Sequence, residues 1–303
     1  MAESAAGEVG VVHLVRCAND LAPLQRFLDS YDAHPAGLAH ELLFVLKGFS
    51  ANPRARAAVV DLIGSRSRGF VEVPDRGLDL DAYGAAAQAF DQAHLLFLNS
   101  FSVLAAAGWL AKMHAAAGRP GVGIVGATAS CESLFTDEID LLRRALRARF
   151  AGDAGGAAVA SGAETDQASV PGRRTERGLR RLWAVYRDYR AFPNPHVRTN
   201  AFMLPREVIG QLEWPATPAK EEAYRLESGR RSLTAQVLDL GLEPLVVGRD
   251  GRTFPVAEWS RSGTFWQQAQ ENLLVEDNQT REYQVASATE RRTLAHRAWR
   301  GRA

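Results

Sequence analysis

The sequence predicts an α/β protein: a doubly wound, mostly parallel sheet flanked by helices, with a helical C-terminal extension. Three observations carry the α/β part of that prediction. Short apolar runs alternate with stretches of helical spacing four times over roughly the first 100 residues. Runs such as ELLFVL and HLLFL are apolar at nearly every position, as in strands covered on both faces. Each run ends in polar or charged residues, and open α/β sheets bind ligands at the carboxyl ends of their strands.

Val9 to Val15 is the first expected strand, ended by Arg16-Cys17-Ala18-Asn19-Asp20. Asn19 or Asp20 can cap the next helix, which has Pro23 in its first turn and Leu24, Phe27, Leu28 and Tyr31 on one face. Glu41 to Leu46 is a second strand, with Lys47-Gly48-Phe49 at its end, and Ala55 to Ile63 a short helix. Gly69 to Val73 is a third strand, followed by the turn Pro74-Asp75-Arg76-Gly77 and then Leu78 to Asp81. An alanine-rich helix, Tyr83 to Gln92, leads to the central strand ending at Leu98. The small polar pair Asn99-Ser100 stops that strand before apolar helical spacing resumes around Trp109. Such a pair suits either a ligand at the sheet rim or the capping of the following helix.

Gly121 to Gly126 is a fifth strand and contains Gly-x-Gly-x-x-Gly. A dinucleotide fingerprint lies between strand and helix, whereas these glycines lie within the strand, so that reading is rejected. Leu141 to Phe150 is a basic helix, and residues 151–178, poor in large apolar residues, are expected to form a flexible loop. The helix 179–189 follows, then the polar segment Phe192 to Asn200, a short strand Ala201 to Leu204 and a helix Pro205 to Leu212. Ala219 to Leu240 is largely helical, Leu245 to Gly248 is a strand, and the chain closes in a basic helix ending WRGRA.

Composition narrows the function classes. The 303 residues are 46% hydrophobic and 23% charged with a formal net charge of +1, an ordinary globular balance. Near-neutral charge argues against a generic nucleic-acid binder, whose affinity comes from neutralising phosphates. Two cysteines are too few for a disulfide framework and point to a reducing compartment. The first ten residues lack a basic region and an apolar core, so no signal peptide is expected, and no apolar run nears the roughly 20 residues of a membrane span. The expected location is cytoplasmic, with peripheral contact at the inner membrane face through the arginines around Leu294 and Trp299 as the membrane option.

No HExxH, P-loop, CxxC or Gly-x-Ser-x-Gly pattern occurs, and the seven histidines show no metal-ligand spacing. His196 stands out because Arg198, Thr199 and Asn200 crowd it, although a proline-shaped surface loop explains the same residues. Glu227, in LESGRRSLT, is a candidate general base, and the small residues Ser228 and Gly229 beside it leave room for a hydroxyl. Lys220, Arg198 and Arg230 could neutralise a diphosphate, Arg by paired hydrogen bonds and Lys as a point charge.

In their order these pieces resemble the GT-A-fold glycosyltransferases that use nucleotide sugars, in particular the large inverting bacterial family that builds polysaccharides. Val12 to Arg16 resembles that family's first nucleotide-binding strand. Val73 to Gly77 with Ala85-Ala86-Ala87 resembles its post-strand turn and alanine-rich helix. Thr199 to Glu207 resembles the segment leading into the acceptor half, and Glu221 to Gly241 the acidic motif and following helix. The resemblance covers roughly residues 9–250 and implies a sugar transferred from a nucleotide-sugar donor to a saccharide or other hydroxyl acceptor, with Glu227 as base. It further implies donor binding near Arg16, Lys47, Asp75, Asp79, Asn99, Ser100, Arg198 and Lys220, and acceptor binding near His196, Asn200 and Arg230. The expected division is a nucleotide-sugar half at 1–150, the loop at 151–178, an acceptor and catalytic half at 179–258 and the extension at 259–303.

The family's Asp-x-Asp motif, which binds metal and diphosphate, is replaced here by Asn99-Ser100-Phe101. A hard divalent cation such as Mg or Mn wants carboxylate oxygens, and Asn and Ser offer only neutral ones. Three readings stay open: a metal-free enzyme using Arg and Lys, a ligand supplied by Asp75, Asp79 or Asp277, or a domain without catalysis that binds saccharide or nucleotide within an assembly complex.

Overall fold

The computed structural model describes residues 8–150, 171–215 and 219–301. The first part runs β1 (Val9–Arg16), α1 (Ala22–Ala33), β2 (Glu41–Lys47), α2 (Pro53–Ile63), β3 (Ser67–Val73), α3 (Asp79–Ala89), β4 (His94–Leu98), β5 (Val103–Leu104), α4 (Trp109–Ala117), β6 (Val122–Gly126), β7 (Ala129–Ser130) and α5 (Leu134–Phe150). The second runs α6 (Pro171–Asp188), β8 (His196–Val197), β9 (Ala201–Pro205), α7 (Arg206–Ile209), α8 (Lys220–Ser228), α9 (Leu233–Asp239), β10 (Glu243–Val247), β11 (Thr253–Pro255), β12 (Val275–Glu276), α10 (Asn278–Val285) and α11 (Ala288–Trp299).

Eight strands form one sheet in the order β11-β10-β6-β9-β4-β1-β2-β3. Strands β3, β2, β1 and β4 are mutually parallel, β6 and β10 are parallel to each other, and β9 lies antiparallel between β4 and β6. The α/β class and the mostly parallel sheet are as the sequence predicts. Alternate residues explain the unbroken apolar runs. Val12, Leu14, Leu43, Val45, Leu95 and Phe97 enter the core on one face, while Val11, Val15, Leu42, Phe44, Leu96 and Leu98 enter the core on the other. His13 is the exception on β1. Its ring is fully buried, stacked on Phe27 at 3.8 Å, and neither nitrogen has a hydrogen-bond partner among the described residues. Burial lowers its pKa to about 3.

The glycines of the rejected fingerprint serve packing. A Cβ on Gly123 would lie 2.6 Å from Val237 Cγ1, and one on Gly126 would lie 2.5 Å from Val197 Cγ1. Both positions let neighbouring elements approach the strand directly.

Several elements differ from expectation. α3 starts at Asp79 instead of Tyr83 and α5 at Leu134 instead of Leu141, so both reach back over polar first turns. Residues 171–178, expected in the loop, belong to α6, and 151–170 lie outside the described residues. The helical stretch 219–240 is two helices. Gly229 permits the break, because a Cβ there would come within 2.4 Å of the Arg225 carbonyl oxygen, and Ser232 caps α9 by accepting from the Ala235 N–H at 3.2 Å.

The C-terminal segment folds into the body of the domain. β12 pairs with β5, and Trp259, Phe265, Trp266, Tyr283 and Trp299 join the core cluster built on β1, β4 and β9. Both cysteines are free thiols, Cys131 buried and Cys17 partly so. Among the described residues no helix is long and apolar enough to cross a membrane.

Candidate functional site

The carboxyl ends of β1, β2 and β3 bring charged residues together. Arg16 closes β1 and pairs with Asp75 at 3.5 Å, and its Nε is buried with no hydrogen-bond partner among the described residues. Lys47 closes β2 and is fully buried. Its ammonium donates to the carbonyls of Gly77 at 2.9 Å and Leu78 at 2.7 Å. Burial lowers its pKa, Arg16 adds to that, and Asp79, Asp75 and Asp81 oppose it. Lys47 is therefore a strut under the turn that carries Asp75 and Asp79, not an ammonium free for a donor.

Asp79 opens α3. Burial raises its carboxyl above the usual aspartate range, Arg16 and Lys47 pull it back, and Glu227 pushes it further up. One turn later Tyr83 is fully buried, and its hydroxyl donates to the Thr199 carbonyl at 3.3 Å. Its pKa stands well above the usual phenol value, through burial first and then the carboxylates of Asp79 and Glu227. Thr199 carries the chain on to Glu227. Its hydroxyl donates to Glu227 Oε1 at 3.0 Å and its N–H to the same oxygen at 3.4 Å. Neither Tyr83 nor Thr199 was singled out as a site residue, since a tyrosine in an apolar helix reads as core.

Glu227, in the last turn of α8, lines a cavity of about 450 Å³ together with Glu132, His196, Arg198, Tyr224, Trp266 and Gln279. Its position is fixed through the chain beside it, because the Asn194 side chain donates to the carbonyls of Ser228 at 2.7 Å and Glu132 at 3.2 Å. His196 is buried on the same wall, its Nδ1 2.9 Å from the Asn194 carbonyl.

Arg198 is 6% exposed. Its Nη2 donates to Asp277 at 3.1 Å and Gln279 at 2.8 Å, and its guanidinium lies 3.9 Å from the Phe265 ring centre. Its Nη1 is buried and unpartnered among the described residues, so one face of the fork is unspent.

Sequence reasoning missed Trp266. It sits in a loop held by its own glutamines: Gln270 accepts from the Trp266 N–H at 2.9 Å and donates to the Thr280 carbonyl at 2.9 Å. Trp266, Gln268 and Gln270 all have positive φ, at 51°, 45° and 53°. Such backbone is costly for residues with side chains and gathers at functional sites. The run TFWQQAQEN carried the signal, as several amides close to an aromatic.

Other expected residues lie elsewhere. Asn99 does not cap the following helix, whose N-cap is Gly108; its Oδ1 closes its own turn, accepting from the Phe101 N–H at 2.9 Å and the Ser102 hydroxyl at 3.0 Å. Ser100 is buried beside it, with its hydroxyl unpartnered among the described residues. Asn200 is buried, with its Oδ1 accepting from Thr128 at 2.6 Å and its carbonyl from the Asn99 N–H at 3.0 Å. It ties the tips of β4 and β9 together and does not line the cavity. Arg230 is exposed and faces a separate groove with Arg187, Glu222 and Arg231. Lys220 opens α8, and its side chain lies outside the described residues. In the C-terminal helix, Trp299 is buried and Arg297 and Arg300 pair with Glu132, Asp137 and Asp140, so these residues face protein.

No all-protein set of metal ligands forms among the described residues: no three His, Cys, Asp or Glu side chains converge as a cation's ligands would. Asp277 is spent on Arg198 and on capping α10, where it accepts from the Thr280 N–H at 2.8 Å.

No protein-family model matches the chain, and no curated protein matches it. Solved structures match in part. A mannosyltransferase from Pyrobaculum calidifontis, in complex with GDP-Man and Mn2+, aligns at 18% identity over 46% of this chain and 39% of that one, with a TM-score of 0.32. Glucosyl-3-phosphoglycerate synthase from Mycobacterium tuberculosis, in complex with Mn2+, UDP and phosphoglyceric acid, aligns at 14% identity over 76% of this chain and 62% of its own, with a TM-score of 0.36. TarS residues 1–349 from S. aureus aligns at 13% identity over 39% of this chain and 34% of that one, with a TM-score of 0.31. The chain thus spans less than two thirds of each of these proteins, and likeness at this level decides neither substrate nor mechanism.

Proposed function

We propose that this chain is a glycosyltransferase that moves a sugar from a nucleotide-sugar donor to a hydroxyl of a saccharide or similar acceptor, with inversion. The observation that carries the reading is the hydrogen-bonded chain from Tyr83 through Thr199 to Glu227, which starts one turn after Asp79 on α3. It sets one carboxylate between the charged strand ends and a polar cavity with aromatic walls. The residue resemblance described above supports it independently. In this reading residues 1–150 hold the donor and 179–258 hold the acceptor, with Trp266 and Gln279 from the C-terminal part completing the acceptor wall.

The chemistry follows from the positions. The nucleotide lies over the ends of β1 to β3, where Arg16 offers cationic donors to the diphosphate. The acceptor enters the cavity between Glu227 and Trp266, whose ring suits stacking against a sugar face. Thr199 occupies Glu227 Oε1 with two hydrogen bonds, which leaves Oε2 to take the acceptor proton. The acceptor oxygen attacks the anomeric carbon from the face opposite the diphosphate. The carbon–oxygen bond to the diphosphate breaks, and its electron pair leaves with the nucleoside diphosphate. No step is assigned to a metal, since the residues at Asn99-Ser100 do not supply its ligands.

The test is incubation with a panel of nucleotide sugars and saccharide acceptors, scored by release of nucleoside diphosphate and by thermal shift. Acceptor-dependent release with one donor supports the reading. A second reading, a binding module without turnover, is favoured by Asn99, whose amide oxygen is consumed by its own turn. That reading predicts a thermal shift with donor or saccharide and no release.

A further inference from the structure

The cavity that holds Glu227 is unevenly charged. Four carboxylates line it, those of Glu132, Asp137, Glu227 and Glu282, against two guanidiniums, those of Arg198 and Arg297. Neither cation is spare. Arg198 is matched at 3.1 Å by the buried Asp277. Arg297 lies 3.0 Å from both Glu132 and Asp137, and Arg300, which also reaches Asp137, is shared with Asp140. Glu227 and Glu282 are left with no ion partner among the described residues, and the one side chain bonded to Glu227 is the neutral Thr199. The placement of Glu282 follows from its helix. Asn278, Gln279 and Glu282 recur at helical spacing on α10, and all three line the cavity.

The remaining wall suits a sugar. Trp266 stands on backbone of positive φ that Gln270 holds in place, and it offers an aromatic surface. Arg198 is 6% exposed and its Nη1 has no partner among the described residues, so a hydroxyl oxygen of a ligand finds a donor there. Because Asp277 already balances its charge, that donor does not draw an anion. An aromatic, hydrogen-bonding wall with a surplus of negative charge is complementary to a sugar that carries positive charge. We propose that the acceptor is an amino sugar, its ammonium drawn by Glu282 while a hydroxyl meets Glu227, and that Glu282 turns away sugars bearing carboxylate or phosphate. The role of acceptor rests on the transferase reading, whereas the order in which saccharides bind does not.

Equilibrium binding of glucosamine, glucose and glucuronate to the full chain tests it, since these three vary the charge on one ring scaffold. At about pH 6.5 the amine is protonated and the carboxylates are ionised. Glucosamine should bind about tenfold or more tightly than glucuronate, with glucose between them, and raised salt should compress the order. Glu282→Lys should bring glucuronate level with glucosamine or above it, and Glu282→Gln should give an intermediate span. Glu282 is exposed, so thermal melts of both variants should match the wild type. Glucuronate binding to the wild type as tightly as glucosamine overturns the proposal. An order that Glu282→Lys leaves unchanged overturns it as well, and so does a wild type that binds none of the three. Saccharides that bind in the expected order, with no nucleotide sugar turned over, would sink the transferase reading and leave the charge preference of this cavity standing.

Discussion

His13 offers a stability test that follows from one buried ring. It lies inside β1 with no partner for either nitrogen, stacked on Phe27 at 3.8 Å, and its pKa falls from 6.5 to about 3. In the unfolded chain the imidazole binds a proton near pH 6.5, whereas in the fold it stays neutral down to about pH 3. The unfolded state therefore binds more protons in that window, and stability must fall as pH falls through it. Each pH unit costs about 1.4 kcal/mol, a total of about 5 kcal/mol across the window and about 2 kcal/mol between pH 8 and pH 5. Other groups titrate too, so the measurement is a comparison. Urea unfolding of the wild type and His13→Phe at several pH values from 8 to 5 should show the variant gaining on the wild type by about 2 kcal/mol as the pH drops. A gap that stays constant across that range would mean that the imidazole takes up its proton in the fold, and the burial argument would be wrong.

Asp79 gives a second pH test with the opposite sign. Its raised pKa means that the fold disfavours the charged carboxylate, so Asp79→Asn should raise the melting temperature at neutral pH, and the gain should shrink as the pH falls through the raised pKa and vanish below the ordinary aspartate range. The same change should weaken nucleotide binding if Asp79 belongs to the donor site, and a lowered melting temperature at pH 7.5 would contradict the burial account. Gly126→Ala should cost about 1–3 kcal/mol in urea unfolding, because the new methyl group meets Val197 and the Thr128 carbonyl with no room to turn. An unchanged midpoint would show that β8 can move away freely.

The sequence was most informative where one residue pattern has one structural solution. The apolar runs of β1, β2 and β4 are buried on both faces, and their lengths and order were legible from hydropathy alone. Direction was not. The five residues of β9 are all buried, which places a strand without saying that it runs antiparallel between β4 and β6. Ladders of two residues, such as the separate pair of β5 with β12, leave no periodic trace, so the docking of the C-terminal segment onto the chain after β4 was invisible. The same holds for the site. Glu227 and His196 were found because their neighbours are unusual, and the structure places both on one cavity. Lys47 and Asn99 also looked like ligands, but each satisfies backbone groups at a strand end, a role that sequence cannot separate from binding. Trp266 and Gln279 reach the cavity through contacts distant in sequence, which no local pattern records.

The most direct test of the account is the pair Glu227→Gln and Glu222→Gln, assayed for transfer with the best donor and acceptor and for donor affinity. Glu222 caps the start of α8, accepting from the Ala219 N–H at 3.0 Å, whereas Glu227 faces the cavity with one oxygen held by Thr199. If Glu227 removes the acceptor proton, Glu227→Gln lowers the turnover number by about 100- to 10,000-fold, with donor affinity nearly unchanged, and Glu222→Gln keeps most of the activity. Equal losses in the two variants, or a Glu227→Gln protein that mainly loses donor affinity, would contradict the assignment of Glu227 as the base.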